Sequence, residues 1–115
     1  MADCIFCKIA SKEIPSSLVY EDEQVVAFKD LDPQAPVHVL VIPKKHIESI
    51  LALQQEDAAL VSHVLIDVVP QIARELGVDE KGFRVVVNTG DEGGQTVKHL
   101  HFHLLGGRSM QWPPG

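Results

Sequence analysis

The chain has 115 residues, 45% of them apolar, with 10 basic against 16 acidic side chains and a formal charge of −6. This length predicts one domain over 1–115 with a single core, and an acidic chain with no basic cluster longer than Lys44-Lys45 is not expected to bind duplex nucleic acid. The longest extended apolar run, Val39-Leu40-Val41-Ile42, falls far short of the ~20 residues of a membrane-spanning helix, and Asp3, Lys8, Lys12 and Glu13 interrupt any secretory leader, so no membrane contact and a cytoplasmic location are expected.

Cys4-Ile5-Phe6-Cys7-Lys8-Ile9-Ala10 puts Ile5, Phe6 and Ile9 on one helical stripe, too short to stand alone, which predicts a docked N-terminal helix. Residues 18–21 and 24–29 are β-rich runs divided by Asp22 and Glu23, the pattern of a hairpin. Asp30-Leu31-Asp32-Pro33 breaks the sheet, and 37–42, bounded by Pro36 and Pro43, resumes it as a third strand.

From about 56 to 76, Val61, Leu65, Val68, Ile72 and Leu76 recur at three- and four-residue steps, with Glu56 and Asp57 at the start and Gly77 beyond the end. One long helix is predicted, kinked at Pro70 and poorly capped by Gln54-Gln55. A fourth strand over 83–88, a glycine-bearing loop over 89–95 and a fifth strand over 97–105 follow, ahead of a Pro/Gly-rich tail from 106 to 115. The expected class is α+β: a five-stranded, mainly antiparallel sheet with one long helix and a short N-terminal helix.

His99-Leu100-His101-Phe102-His103-Leu104-Leu105 is the most informative segment. On a strand, period-two alternation turns all three imidazoles to one face and Leu100, Phe102 and Leu104 to the other. Neutral imidazoles are nucleophiles and general bases that exchange protons near neutral pH. His38, in the third strand, is a fourth candidate.

With this triad, Asp30-Leu31-Asp32-Pro33-Gln34-Ala35-Pro36-Val37-His38, Val41-Ile42-Pro43-Lys44-Lys45-His46-Ile47, Gly93-Gly94-Gln95-Thr96 and the tail from Gly106-Gly107-Arg108 to Trp112-Pro113-Pro114-Gly115, the chain resembles the histidine-triad (HIT) family over nearly its whole length. The likeness is to the branch of histidine triad nucleotide-binding (Hint) proteins that act as purine nucleoside phosphoramidases. It implies a HIT-like fold, a homodimer to which the tail and Trp112 contribute, and a purine nucleotide substrate. It further implies His101 as the nucleophile at the α-phosphorus, assisted by His99, His103 and His38. Asp30 would hold the ribose hydroxyls, Asn88, Gln95 and Thr96 would surround the phosphate, and Ile5, Phe6, Ile9 and Phe28 the purine, with Leu31 and Trp112 also among the nucleotide-binding residues. Thr96 stands where the best-known relatives carry Ser. Two alternatives remain open: a dinucleoside polyphosphate hydrolase or nucleotidyl transferase of the same family, and a nucleotide-sensing or partner-binding module.

Cys4 and Cys7 form a Cys-x-x-Cys pair, which in a cytosolic chain points to metal or redox chemistry rather than a structural disulfide. A tetrahedral zinc site needs two further ligands, for which His46 and His99 are candidates. The resemblance implies the same set, because some bacterial members of the family bind zinc through these positions. With four protein ligands such a zinc would be structural, and the chemistry would need no cofactor.

Overall fold

A computed structural model describes residues 4–115; the expectation placed on Asp3 lies outside the described residues. Helix α1 (Ile5–Ala10) is followed by β1 (Leu18–Glu21), β2 (Val25–Lys29) and β3 (Val37–Pro43). A 3-10 turn at Ile50–Ala52 leads into one helical stretch made of a 3-10 turn (Gln55–Asp57), α2 (Ala58–Ser62), a π-helical segment (His63–Val68) and α3 (Val69–Glu75). Strands β4 (Phe83–Val86) and β5 (Phe102–Gly106) complete a five-stranded sheet, ordered β1-β2-β3-β5-β4 and antiparallel at every pairing. Among the described residues, no helix is long and apolar enough to cross a membrane.

Alternation along the strands divides the core between the two faces of the sheet. Val25, Ala27, Val39, Val41, Phe102 and Leu104 pack with Leu100 against Leu60, Val64, Val68 and Ile72 of the long helical stretch. Val26, Phe28, Leu40 and Ile42 pack on the other face against Phe6 and Ile9 of α1. The stripe expected on α1 is narrower than its spacing predicts: Ile5 is 47% exposed, while Phe6 and Ile9 are buried. Cys4 is the N-cap, its Sγ accepting from the Cys7 N–H.

The long helix forms, but its interior differs from expectation. Pro70 lies in the first turn of α3, just after the π-helical segment, so the register change falls where its missing N–H would otherwise break the ladder. Gln54 is also better held than a poor cap predicts, its N–H donating to Asp57 at 2.9 Å. His63 opens the π segment and clasps the helix to the first hairpin, with Nε2 2.6 Å from Asp22 Oδ2 and Nδ1 2.9 Å from Asp67 Oδ2. These two carboxylates raise the His63 pKa.

Two strand predictions are corrected. Strand β4 ends at Val86, leaving Val87 and Asn88 outside it, and β5 starts at Phe102 rather than Val97. The Leu100 N–H donates to the Ile47 carbonyl at 2.6 Å, tying this stretch to the loop after β3 before the ladder begins. His99 and His101 therefore precede β5, and only His103 lies within it. The alternation still holds for the apolar partners, since Leu100, Phe102 and Leu104 all join the core beneath the long helix.

Candidate active site

The face of the sheet covered by α1 also carries the histidines. Leu40 of β3 stands opposite His103 of β5, so His38 and His103 are diagonal neighbours on one face. The Gln34 backbone N–H donates to His38 Nδ1 at 3.0 Å. That nitrogen must therefore accept, and the His38 proton sits on Nε2. Nε2 lies 2.9 Å from His103 Nδ1 and 3.5 Å from Asp30 Oδ2. His103 Nδ1 accepts in turn, leaving His103 to carry its own proton on Nε2. Burial, then the neighbouring His101 and His38, pushes the His103 pKa down to about 4, so the ring is neutral at pH 7.

His101 is buried, and its Nδ1–H donates to the His99 carbonyl at 2.7 Å. A carbonyl only accepts, so the proton is fixed on Nδ1 and the Nε2 lone pair is left available for attack. The ring centroid lies 5.0 Å from His103 and 5.1 Å from Phe6, which stacks edge-on to Phe28 at 5.6 Å. A nucleophilic nitrogen of set orientation thus stands between a neutral imidazole and an aromatic wall.

His99 turns toward the cysteines. The ligating atoms of Cys4, Cys7, His46 and His99 all lie within 4.8 Å of one another. His99 Nδ1 is 3.3 Å from Cys4 Sγ and 3.6 Å from Cys7 Sγ, and His46 Nδ1 is 3.3 Å from Cys7 Sγ. A zinc tetrahedron with its usual bond lengths has sulfur-to-nitrogen edges of about 3.6 Å, so the four donors fit that ion. His99 Nε2–H donates to the Pro43 carbonyl at 2.8 Å, which leaves Nδ1 as the free lone pair, and burial lowers the His99 pKa so that it stays neutral. Burial and the adjacent Cys4 raise the Cys7 pKa, as expected for paired sulfurs that ionise readily only beside a cation.

The other positions implied by the resemblance fall around this centre unevenly. Phe6, Ile9 and Phe28 share one buried cluster, whereas Ile5 is outside it. Leu31 and Trp112 are 99% and 82% exposed. Asn88 is half-buried and Thr96 exposed. The Gln95 amide ties its loop to the segment after β3, accepting from the Gly90 N–H at 3.0 Å and donating to the Glu48 and Val97 carbonyls at 2.7 and 3.1 Å. Gly93 is required there, because a Cβ would lie 2.3 Å from the Thr89 carbonyl oxygen. Three contributors have no side-chain signature in the sequence: the Gln34 amide and the Pro43 and His99 carbonyls act through the backbone.

His63 and His103 predict opposite pH effects on stability. The unfolded chain protonates near pH 6.5; folded His103 resists protonation down to about 4, so stability falls as pH drops through that interval. His63 binds its proton more tightly when folded, so its contribution is complete below pH 6.5 and is lost as pH rises through its raised value. Urea midpoints measured from pH 4 to 8 should have a shallower acid-side slope in His103→Gln, the remainder coming from His99, and a shallower alkaline-side slope in His63→Gln. Unchanged slopes would contradict these assignments.

A family model described as HIT domain matches residues 11–110. An uncharacterized HIT-like protein of Synechococcus elongatus is 56% identical over 113 residues, covering 98% of this chain and 97% of that protein. The crystal structure of a HIT family hydrolase from Legionella pneumophila superposes with a TM-score of 0.95 at 50% identity, covering 98% of this chain and all of that one. A histidine triad protein from Clostridium difficile gives a TM-score of 0.93 at 52% identity over 96% of each chain.

Proposed function

The chain belongs to the HIT-domain family, and on that premise we propose that it is a purine nucleotide-binding hydrolase that cleaves nucleoside 5′-phosphoramidates through a nucleotidyl-histidine intermediate on His101. One observation carries this reading: His101 Nδ1–H is anchored on the His99 carbonyl at 2.7 Å, so a buried imidazole presents a fixed Nε2 lone pair. In the first step Nε2 bonds to the α-phosphorus, and the phosphorus–nitrogen bond breaks with its electron pair going to the amine, which takes up a proton. In the second, water bonds to phosphorus, the phosphorus–Nε2 bond breaks, and the nucleoside monophosphate leaves. His103 and His38 orient the reacting groups and manage the leaving-group proton.

Asp30 accepts hydrogen bonds from the ribose hydroxyls, and Phe6 and Phe28 form an apolar wall for the base. A zinc ion on Cys4, Cys7, His46 and His99 supplies a structural tie between the N-terminal segment and the core. The homodimer reading is supported by Leu51, Leu65 and Ile66, which are 86%, 46% and 68% exposed, and by the outer position of β4 in the sheet. A cytoplasmic location suits thiols that must stay reduced to bind metal.

Mass spectrometry of protein quenched within milliseconds of mixing with an adenosine or guanosine phosphoramidate should show one nucleotidyl group, mapped to His101. An adduct on another residue would overturn the mechanism. Competition between a phosphoramidate and a dinucleoside polyphosphate should favour the phosphoramidate; the reverse preference would favour a polyphosphate hydrolase.

A further inference from the structure

Arg108 lies just beyond β5, two residues past Gly106, and is exposed. Its Nε donates to the Gln34 carbonyl at 3.0 Å. Gln34 is also the residue whose N–H donates to His38 Nδ1 at 3.0 Å. The loop carrying Gln34 is braced elsewhere: the Asp32 N–H donates to Asp30 Oδ1 at 2.8 Å and the Gln34 side chain to the Asp32 carbonyl at 2.9 Å. Gly107 lies close against this loop, where an added Cβ would be 2.9 Å from Pro36 Cβ. The start of the tail therefore grips the segment that sets the His38 tautomer.

We propose that Arg108 is a positioning residue: by holding Gln34 it keeps that N–H on His38 Nδ1, and through the His38–His103 hydrogen bond it makes His103 present an N–H, rather than a lone pair, to bound phosphate. The inference rests on the hydrolase reading of the site. Each link follows from donor and acceptor capacity. A neutral imidazole has one of each, so a donor on His38 Nδ1 forces Nε2 to donate, and a donor on His103 Nδ1 forces the His103 proton onto Nε2. If the Gln34 N–H swings away, His38 is free to protonate on Nδ1, and His103 then offers its Nε2 lone pair to the oxygens of an anion, which repels them. Arg108 suits the task because its charge strengthens a hydrogen bond to a carbonyl and its planar head holds direction. His103, His38 and Gln34 lie in one uninterrupted chain of hydrogen bonds, and Arg108 closes it on the solvent side.

The test compares full-length wild-type protein with Arg108→Ala and Arg108→Lys, by steady-state kinetics on a nucleoside phosphoramidate and by nitrogen-15 NMR of the histidine rings. Arg108→Ala should lower kcat by about tenfold or more with KM within about twofold. In the same variant the Nδ1 and Nε2 shifts of His38 and His103 should move toward the averaged values of mixed tautomers. Arg108→Lys should recover most of the rate, since its ammonium can donate to the same carbonyl. Ring shifts unchanged in Arg108→Ala would overturn the relay, and shifts that move without a loss of kcat would overturn its role in the reaction. The ring shifts are read without substrate, so they decide the relay even if wild-type protein fails to turn over any phosphoramidate, a result that would count against the hydrolase reading instead.

Discussion

His101→Ala should lower kcat for phosphoramidate hydrolysis by about four to six orders of magnitude while leaving nucleotide affinity within a few-fold. The asymmetry follows from the hydrogen bonds. His101 is hydrogen-bonded through its Nδ1 to the His99 carbonyl and otherwise packs its ring on Phe6 and His103, and its removal leaves the Gln34–His38–His103 chain and the Asp30 contact in place. Binding groups therefore survive while the attacking atom is lost. At 1.36 kcal/mol per decade the expected loss is about 5–8 kcal/mol of transition-state stabilisation, characteristic of deleting a covalent nucleophile rather than an orienting group. His103→Ala removes one hydrogen-bond donor and should cost about two orders of magnitude. Calorimetry with a non-hydrolysable analogue measures affinity, and single-turnover kinetics measures the rate. Turnover by His101→Ala within tenfold of wild type would show that water is activated without a covalent step, and the binding-module alternative would gain if that variant also rescued function in cells.

Why the histidines were legible and their partners were not is a matter of which atoms do the work. The hairpin, the third strand and the long helix announce themselves through side-chain periodicity, because one-sided burial leaves a period of two or 3.6, and the tail through its Pro and Gly content. The start of β5 does not. The segment before Phe102 has the alternation of a strand, yet the Leu100 N–H is taken by the Ile47 carbonyl, a partner 53 positions earlier that no local pattern reports. That diversion splits the histidine row: His99 is freed to face Cys4, Cys7 and His46, while its carbonyl turns to His101. A uniform strand would have put three equivalent rings on one face. The tautomers, likewise, depend on the Gln34 amide and the Pro43 carbonyl, groups that every sequence carries and none displays. Pro70 signals an irregular helix without disclosing its form, a π-helical segment ending just ahead of it.

Chelation of the zinc-loaded protein, or Cys7→Ser, is the second large effect expected, and it should appear in both stability and rate. Helix α1 has six residues, too few to persist without docking, yet it supplies the Phe6 and Ile9 that cover the sheet face beside His101. Cys4 caps that helix and Cys7 lies within it, so four ligands drawn from α1, the loop after β3 and the stretch before β5 tie three distant segments at one point. Loss of that tie should lower the thermal midpoint by about 10–20 °C, a few kcal/mol for a domain of this size. The rate should fall for a separate reason: His99 would hold the metal through Nδ1 while it anchors His101 through its carbonyl, so a loosened His99 would let the His101 ring turn away from in-line attack. The expected loss in kcat is smaller than for His101→Ala, because the nucleophile remains. Scanning fluorimetry, metal analysis and kinetics on the same samples, before and after zinc is restored, separate the two contributions. A midpoint and a rate that both ignore chelation would mean that the four ligands pack as an ordinary polar cluster and that α1 is held by its apolar face alone.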